Sequence, residues 1–217
     1  MRYTLFITFL LAAVTLSAQK QDPQAADLLK QLGQNHKSYE TITADFTFHY
    51  KNLQSDSENQ WNGEIIMKGD KYKLKLHHST VYYNGSTLWN YLHEANEVNI
   101  SEPPQKTNSD IINHPHQIFD IYKMNYKYKY LGNQTKDNTP VHAIDLFPEK
   151  LEQDYSRIRL YLTRDNIRIH SAKVFAKDGS RYRIAINNMK TDQPMDDSTF
   201  VFNKKNHPDA EVIDMRF

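Results

Sequence analysis

The feature that most restricts the fold is a series of short alternating runs between Trp61 and Ile100. In the run 71–76 (Lys-Tyr-Lys-Leu-Lys-Leu), an extended chain puts Tyr and Leu on one face and lysines on the other. Gly69-Asp70 and Asn84-Gly85 separate successive runs, and Asn84-Gly85 predicts a two-residue hairpin turn because both residues tolerate positive φ. Successive hairpins of this kind predict a curved antiparallel sheet with an apolar concave face and a charged outer face.

Alternating runs also occur on both sides of this series. They predict strands at 41–51, 60–68, 71–77, 80–83, 86–92, 97–101, 126–130, 142–146, 157–162, 167–176 and 182–189, with a short last edge at 199–202. Short connections favour antiparallel pairing of strands that are neighbours in sequence. The total is about eleven strands in one mainly β domain, since neither a boundary nor a longer repeat divides the chain.

Two helical segments interrupt the β pattern. Asp22-Pro23 predicts a helix start, with a capping side chain followed by proline at the first helical position. Ala25, Leu28, Leu29 and Leu32 then recur at helical spacing, and the helix either packs on the sheet or covers one end of a cavity. The second segment is 106–124, with a cap at 108–110 and Pro115 dividing a short turn from a helix.

The first 18 residues predict a secretory signal rather than part of the fold. Arg2 precedes an apolar run from Thr4 to Leu16, and Ser17-Ala18 end the run with small residues. The run is too short to span a bilayer, so we expect cleavage after Ala18 and a domain over 19–217. A buried N-terminal strand is the alternative.

Charge and cysteine content narrow the function classes. The whole chain has 27 Lys and Arg against 26 Asp and Glu, and removing the leader with Arg2 leaves 26 against 26. This balance predicts neither a nucleic-acid nor an acidic partner. An exported chain with no cysteine has neither a disulfide nor a lipid attachment site, which favours a freely diffusing, monomeric periplasmic protein.

Patterns typical of catalysis are weak. The six glycines form no phosphate-binding loop, and no nucleophile-elbow motif is present. His77-His78 and the pair His114 and His116 lack the helical spacing or carboxylates of a metal site. Lysines alternate with tyrosines at 126–130, which predicts a strand with its tyrosines inward more than a nucleic-acid platform. We therefore predict no enzyme, cofactor or metal.

The apolar face remains as the working surface. A sheet of about eleven strands that curls has many inward side chains, and two short helices are too few to cover them. Such a sheet encloses a cavity for a hydrophobic ligand.

Several segments resemble the LolA family of periplasmic lipoprotein carriers. They are 42–46 (Ile-Thr-Ala-Asp-Phe), 63–73 (Gly-Glu-Ile-Ile-Met-Lys-Gly-Asp-Lys-Tyr-Lys), 83–91 (Tyr-Asn-Gly-Ser-Thr-Leu-Trp-Asn-Tyr), 197–202 (Asp-Ser-Thr-Phe-Val-Phe) and 210–214 (Ala-Glu-Val-Ile-Asp). The resemblance covers nearly the whole chain after the leader. It implies an unclosed antiparallel barrel of about eleven strands whose opening is covered by helices.

The resemblance also implies a function. Acyl chains of lipoproteins would pass from an inner-membrane ABC-type transporter into the cavity, and then to an outer-membrane receptor. Family members carry an Arg-Pro pair after the second strand, where the arginine bonds to the lid, and this chain has Lys68-Gly69 there. Lys68 is thus a possible lid latch, although lysine lacks the planar fork of donors that arginine has.

We predict a set of cavity and lid residues from the faces of the strands and the second helical segment. The cavity wall is Phe46, Phe48, Tyr50, Ile65, Met67, Tyr72, Leu74, Leu76, Trp89 and Tyr91, and the lid is Ile111, Ile112, Ile118 and Phe119. A one-residue slip would exchange the faces of a strand. A lipid-binding sensor of the same fold and a periplasmic enzyme with an apolar substrate are the alternatives.

Overall fold

The computed structural model describes residues 22–102, 111–112, 114–150 and 152–216. Its helix α1 is Pro23–Ser38, and 3₁₀ segments cover Pro115–Lys123, Asp197–Phe200 and Lys204–Asn206. The strands are β1 Thr41–Lys51, β2 Glu58–Lys68, β3 Lys71–Lys75, β4 Ser79–Tyr83, β5 Leu88–Leu92, β6 Glu97–Ser101, β7 Tyr126–Lys136, β8 Thr139–Pro148, β9 Tyr155–Thr163, β10 Ile169–Ala176, β11 Arg181–Thr191 and β12 Glu211–Asp214.

These strands form one sheet in the order β12-β6-β5-β4-β3-β2-β1-β11-β10-β9-β8-β7. Neighbours are antiparallel except β12, which is parallel to β6. Hairpins join most neighbours, while β1 pairs with the distant β11 and so links the two halves of the sheet. In the described residues β7 and β12 are the two edges, so the predicted mainly β, unclosed antiparallel architecture is confirmed.

Helix α1 begins and ends as its sequence indicates. The Asp22 carboxylate accepts hydrogen bonds from the backbone N–H groups of Gln24 (3.0 Å) and Ala25 (3.3 Å), which satisfies donors that the first turn leaves free. The helix ends at Ser38, and the extended residue Tyr39 leads into β1. One face of α1 is buried against the 3₁₀ segment 115–123 and β7.

Two local predictions are wrong. The hairpin turn is displaced by one residue from Asn84-Gly85 to Gly85-Ser86, because the Asn84 N–H donates to the Thr87 carbonyl at 3.3 Å. The Asn84 side chain accepts from the N–H groups of Ser86 and Thr87, and β5 begins at Leu88. The segment 199–202 is not a strand: the Asp196 side chain caps a 3₁₀ turn there, and the last strand is β12. The helix predicted to start at Pro115 is confirmed over 115–123, with 3₁₀ geometry, and the cap predicted at 108–110 lies outside the described residues.

The main hydrophobic core lies between the concave face of the sheet and a cover made of α1 and the 3₁₀ segment 115–123. We call these two elements the cover. A smaller apolar cluster lies on the outer face around Val98 and Phe202, and another around Val141 and Tyr161. The apolar concave face is therefore largely shielded by elements that are not strands.

Candidate functional site

The concave face brings together eight of the ten predicted wall residues. Strand register aligns them across the sheet: Phe48 is opposite Ile184, and Leu74 is opposite Val81. Five are buried in the main core and three are partly buried against it: Phe46, Phe48, Ile65, Tyr72 and Leu74, then Tyr50, Met67 and Leu76. Alternation with a period of two thus identified the correct face of β1, β2 and β3.

The predictions for Trp89 and Tyr91 are corrected. In the β4–β5 register Val81, on the concave face, is opposite Asn90, so Trp89 and Tyr91 point to the outer face. There they pack with the small cluster around Val98 and Phe202. The run 88–92 is apolar on both faces apart from Asn90, so alternation could not choose between them.

The predicted lid residues belong to the cover or lie beside it. Ile111, Ile118 and Phe119 are buried in the main core, and Ile112 is partly buried against it. His36 of α1 stacks on the ring of Phe119 with centroids 5.8 Å apart. The cover is therefore attached to the sheet mainly by apolar and aromatic contacts, which have no fixed direction.

Polar contacts of the cover occur near the two ends of α1. At the N-terminal end, the Asp22 carboxylate accepts a hydrogen bond from the backbone N–H of Tyr130 in β7, at 3.1 Å. Near the C-terminal end, the Asn35 amide donates to the carbonyls of Asn166 (2.9 Å) and Ile167 (3.3 Å). Leu32, Ile118 and Phe119 of the cover are at most 2% exposed, so the cover can leave the sheet only where another apolar surface replaces these contacts.

Two histidines of the cover are neutral at pH 7. Burial lowers the pKa of His36 to about 4, and burial also lowers the pKa of His116, which stacks on Tyr72 at 4.3 Å, to about 3. Among the described residues, the buried atoms His36 Nε2, His116 Nδ1 and Asn90 Oδ1 have no hydrogen-bond partner. Burial raises the pKa of Tyr72 to about 12. The site therefore presents neutral groups, which suits binding of an apolar ligand more than proton transfer.

A groove of about 450 Å³ lies between α1, the end of the 3₁₀ segment and the edge strand β7. It is lined by Ala26, Leu29, Lys30, Gly33, Gln34, Lys37, Ile121, Tyr122, Met124, Tyr126 and Tyr128. None of the predicted wall residues lines this groove. The inward tyrosines of the run 126–130 were its only sequence signal, and the helix residues could not be assigned to it without the tertiary structure.

The predicted latch role of Lys68 is corrected. Lys68 alternates with Ile65 and Met67, so its side chain leaves the sheet on the outer face, away from the cover. Its ammonium donates to the Met195 carbonyl at 3.0 Å and pairs with Asp197 at 3.1 Å. Lys68 therefore fastens the 3₁₀ turn that begins at Asp197.

Two further observations concern the described residues only. No helix among them is long and apolar enough to cross a bilayer. No cluster of three or more His, Asp or Glu side chains in the same part of the chain could hold a metal ion.

Comparison with solved structures shows the fold. An uncharacterized conserved protein from Thermus thermophilus aligns with a TM-score of 0.61 and 11% identity, over 88% of this chain and 99% of that one. A DUF1329 family protein from Desulfovibrio piger aligns with a TM-score of 0.51 and 16% identity, over 82% and 96% of the two chains. A LolA superfamily protein from Nitrosomonas europaea aligns with a TM-score of 0.44 and 13% identity, over 82% and 97%.

Sequence comparison shows the family. No curated protein matches the chain. The profile of the family described as "Outer membrane lipoprotein carrier protein LolA" matches residues 37–203, which include eleven of the twelve strands. The chain therefore belongs to the LolA family of outer membrane lipoprotein carrier proteins.

Proposed function

We propose that this protein is a periplasmic carrier that shields the acyl chains of lipoproteins between the inner and outer membranes. The observation that carries the proposal is the apolar concave face, which is closed by a cover of one helix and one 3₁₀ segment instead of strands. Membership of the LolA family supports the same function. In this proposal the protein binds and releases cargo and catalyses no reaction.

Hydrocarbon chains need such a face in transit. Each buried methylene is worth about 0.8 kcal/mol, so an exposed acyl chain drives aggregation or return to a membrane. The neutral, apolar surface around Phe48, Ile65 and Leu74 can take the place of water around the acyl chains. Because the attraction is non-directional, it accepts chains of different length.

The groove beside α1 is the proposed starting point for loading. Its volume of about 450 Å³ lies in the range typical of small-ligand sites. A multiply acylated cargo needs more room, so the cover must move away from the concave face as the chains enter. In the described part of the chain, the Tyr130 N–H bond to Asp22 and the Asn35 bond to the Asn166 carbonyl are two polar contacts that this movement breaks.

The proposed partners follow from the path of the lipoprotein from the inner to the outer membrane. An inner-membrane ABC-type transporter would deliver the lipoprotein, and an outer-membrane receptor would accept it. The direct test incubates the purified protein with membranes that hold outer-membrane-destined lipoproteins and an active transporter. We expect the lipoprotein to leave the membrane in a soluble one-to-one complex with this protein. If no lipoprotein is released under conditions in which a known carrier releases it, the proposal is contradicted.

A pair of variants on α1 localises the site. Leu29→Gln places an amide in the groove and is expected to weaken binding of a fluorescent acyl probe about tenfold, because the buried amide loses its hydrogen bonds to water. Asp27→Asn on the exposed side of the same helix is the control and should leave affinity unchanged. Acyl binding without release to any membrane would support the lipid-binding sensor instead.

A further inference from the structure

The outer face of strands β7 to β11 carries a concentration of positive charge that the carrier role does not use. Lysines and arginines are frequent among the outward side chains of this face, and six of them are Lys129, Arg157, Arg159, Lys173, Arg181 and Arg183. We call these six residues the basic face. The chain as a whole is nearly neutral, whereas the segment 192–214 holds six acidic residues and two lysines. Part of this acidic charge is already paired, since Asp197 contacts Lys68 and Lys71 and Asp214 contacts Arg216.

Strand register sets like charges directly opposite each other on the basic face. Arg159 is opposite Lys173, and Lys173 is opposite Arg183 on the next strand. Cross-strand pairs of like charge destabilise a sheet. An anionic partner on this face would relieve the repulsion.

Carboxylates compensate this charge only in part. In the described residues Asp145 pairs with Arg157 and Arg159, and Asp137 pairs with Arg183. Lys173 lies over the ring of Phe175 at 5.5 Å. Burial and the neighbouring cations, Arg181 foremost, lower the pKa of Lys173, which reflects the positive potential around it.

Aromatic side chains accompany the cations. The Arg157 and Arg181 guanidinium groups lie 4.0 Å and 5.0 Å from the centre of the Phe175 ring. Phe147, on the same outer face beside Lys127, is 37% exposed. Cations beside an exposed aromatic ring suit the interface of a membrane, where the ring meets the acyl boundary and the charges meet phosphates.

We propose that the basic face docks on an anionic phospholipid membrane. Five strands at about 4.8 Å spacing make a surface about 20 Å wide, which matches several headgroups better than one acidic peptide. The positive charge of this face would draw it toward an anionic membrane during approach. Docking goes beyond the carrier role, and either can fail alone, because docking needs no cargo and cargo binding needs no membrane.

Vesicle sedimentation tests the docking. Vesicles of phosphatidylcholine and phosphatidylglycerol at 3:1 should bind the purified protein in 50 mM salt, and vesicles of phosphatidylcholine alone should not. Binding should be lost in 500 mM salt, which screens charges beyond about 4 Å. Equal binding to both vesicles, or binding that resists salt, would overturn the proposal.

Matched double variants locate the contact. Lys129→Gln with Lys173→Gln should weaken vesicle binding about 25-fold, at about fivefold per charge, and leave the affinity for an acyl probe unchanged. Lys75→Gln with Lys205→Gln removes the same charge from exposed sites elsewhere and should change vesicle binding less than twofold. Equal losses from both pairs would overturn the assignment to this face. Binding to a polyglutamate peptide without binding to vesicles would identify an acidic protein partner and overturn it too.

Discussion

The Asp22 carboxylate accepts a hydrogen bond from the backbone N–H of Tyr130 at 3.1 Å, which ties the N-terminus of the cover helix to the edge strand β7. The same carboxylate caps α1 through Gln24 and Ala25. One side chain thus starts the helix, fastens it to the sheet and occupies an N–H of an edge strand that would otherwise be free to pair with another chain.

Removing this carboxylate should loosen the cover. We expect Asp22→Ala to lower the free energy of unfolding by about 1–2 kcal/mol, because both the cap and the bond to Tyr130 are lost. Urea denaturation measures the loss, and hydrogen exchange should be faster in 23–38 than elsewhere. Asp27→Ala, which removes an exposed side-chain contact with Gln31, is the control and should cost less. Equal exchange in α1 of both variants would show that Asp22 does not hold the cover.

Acid should weaken the attachment of the cover through His36. The residue is 9% exposed, and burial lowers its pKa from 6.5 to about 4, so between these values the unfolded chain binds the proton that the folded protein excludes. Stability is therefore full above pH 6.5 and falls as the pH drops toward 4, by about 3 kcal/mol for this group. Unfolding measured at pH 7 and pH 4.5 checks the fall.

The matched variants separate His36 from other histidines. His36→Leu should make the pH profile less steep, while His116, whose pKa burial also lowers, keeps part of the slope. The change also removes a buried nitrogen that has no hydrogen-bond partner among the described residues. His78→Gln changes a side chain that is 73% exposed and should leave the profile as in the parent protein. If the free energy of unfolding of His36→Leu depends on pH as steeply as that of the parent protein, this role of His36 is contradicted.

The cross-strand pair of Phe46 and Gly63 predicts a steric conflict. A methyl group on Gly63 would lie 2.3 Å from the Phe46 ring, which covers the glycine in register. We expect Gly63→Ala to destabilise the protein by about 1–3 kcal/mol through overpacking. In a Phe46→Leu background, Gly63→Ala should lower the free energy of unfolding by clearly less. If the losses of the two single variants simply add in the double variant, the contact between Phe46 and position 63 is contradicted.

The ion pairs of Asp145 should be important for folding. The carboxylate is 3% exposed and accepts bonds from Arg159 at 2.7 and 2.9 Å and from Arg157 at 3.1 Å. Asp145→Asn leaves both guanidinium groups without a counter-charge, so we expect a loss of about 3 kcal/mol in urea denaturation. Asp165→Asn, at an exposed position, is the control. Similar stability of both variants would show that the pairs are dispensable.

Local patterns in the sequence were sufficient to locate most of the strands and the first helix. Alternation with a period of two located the strands around Phe46, Ile65 and Leu74, because a half-buried strand needs one apolar face whatever its partners are. The Asp22-Pro23 cap located the start of α1 for an equally local reason. Trp89 and Tyr91 were misplaced because the run 88–92 is apolar on both faces, and the choice depends on what covers each side.

The sequence by itself determined that the chain forms an antiparallel sheet with one apolar face and a capped helix, since these depend on residues a few positions apart. Only the tertiary structure decided that Lys68 pairs with Asp197, that Asp22 reaches Tyr130 and that Arg159, Lys173 and Arg183 align into a basic face. The physical reason is that such contacts depend on the register and curvature of strands far apart in the chain, which no local periodicity encodes.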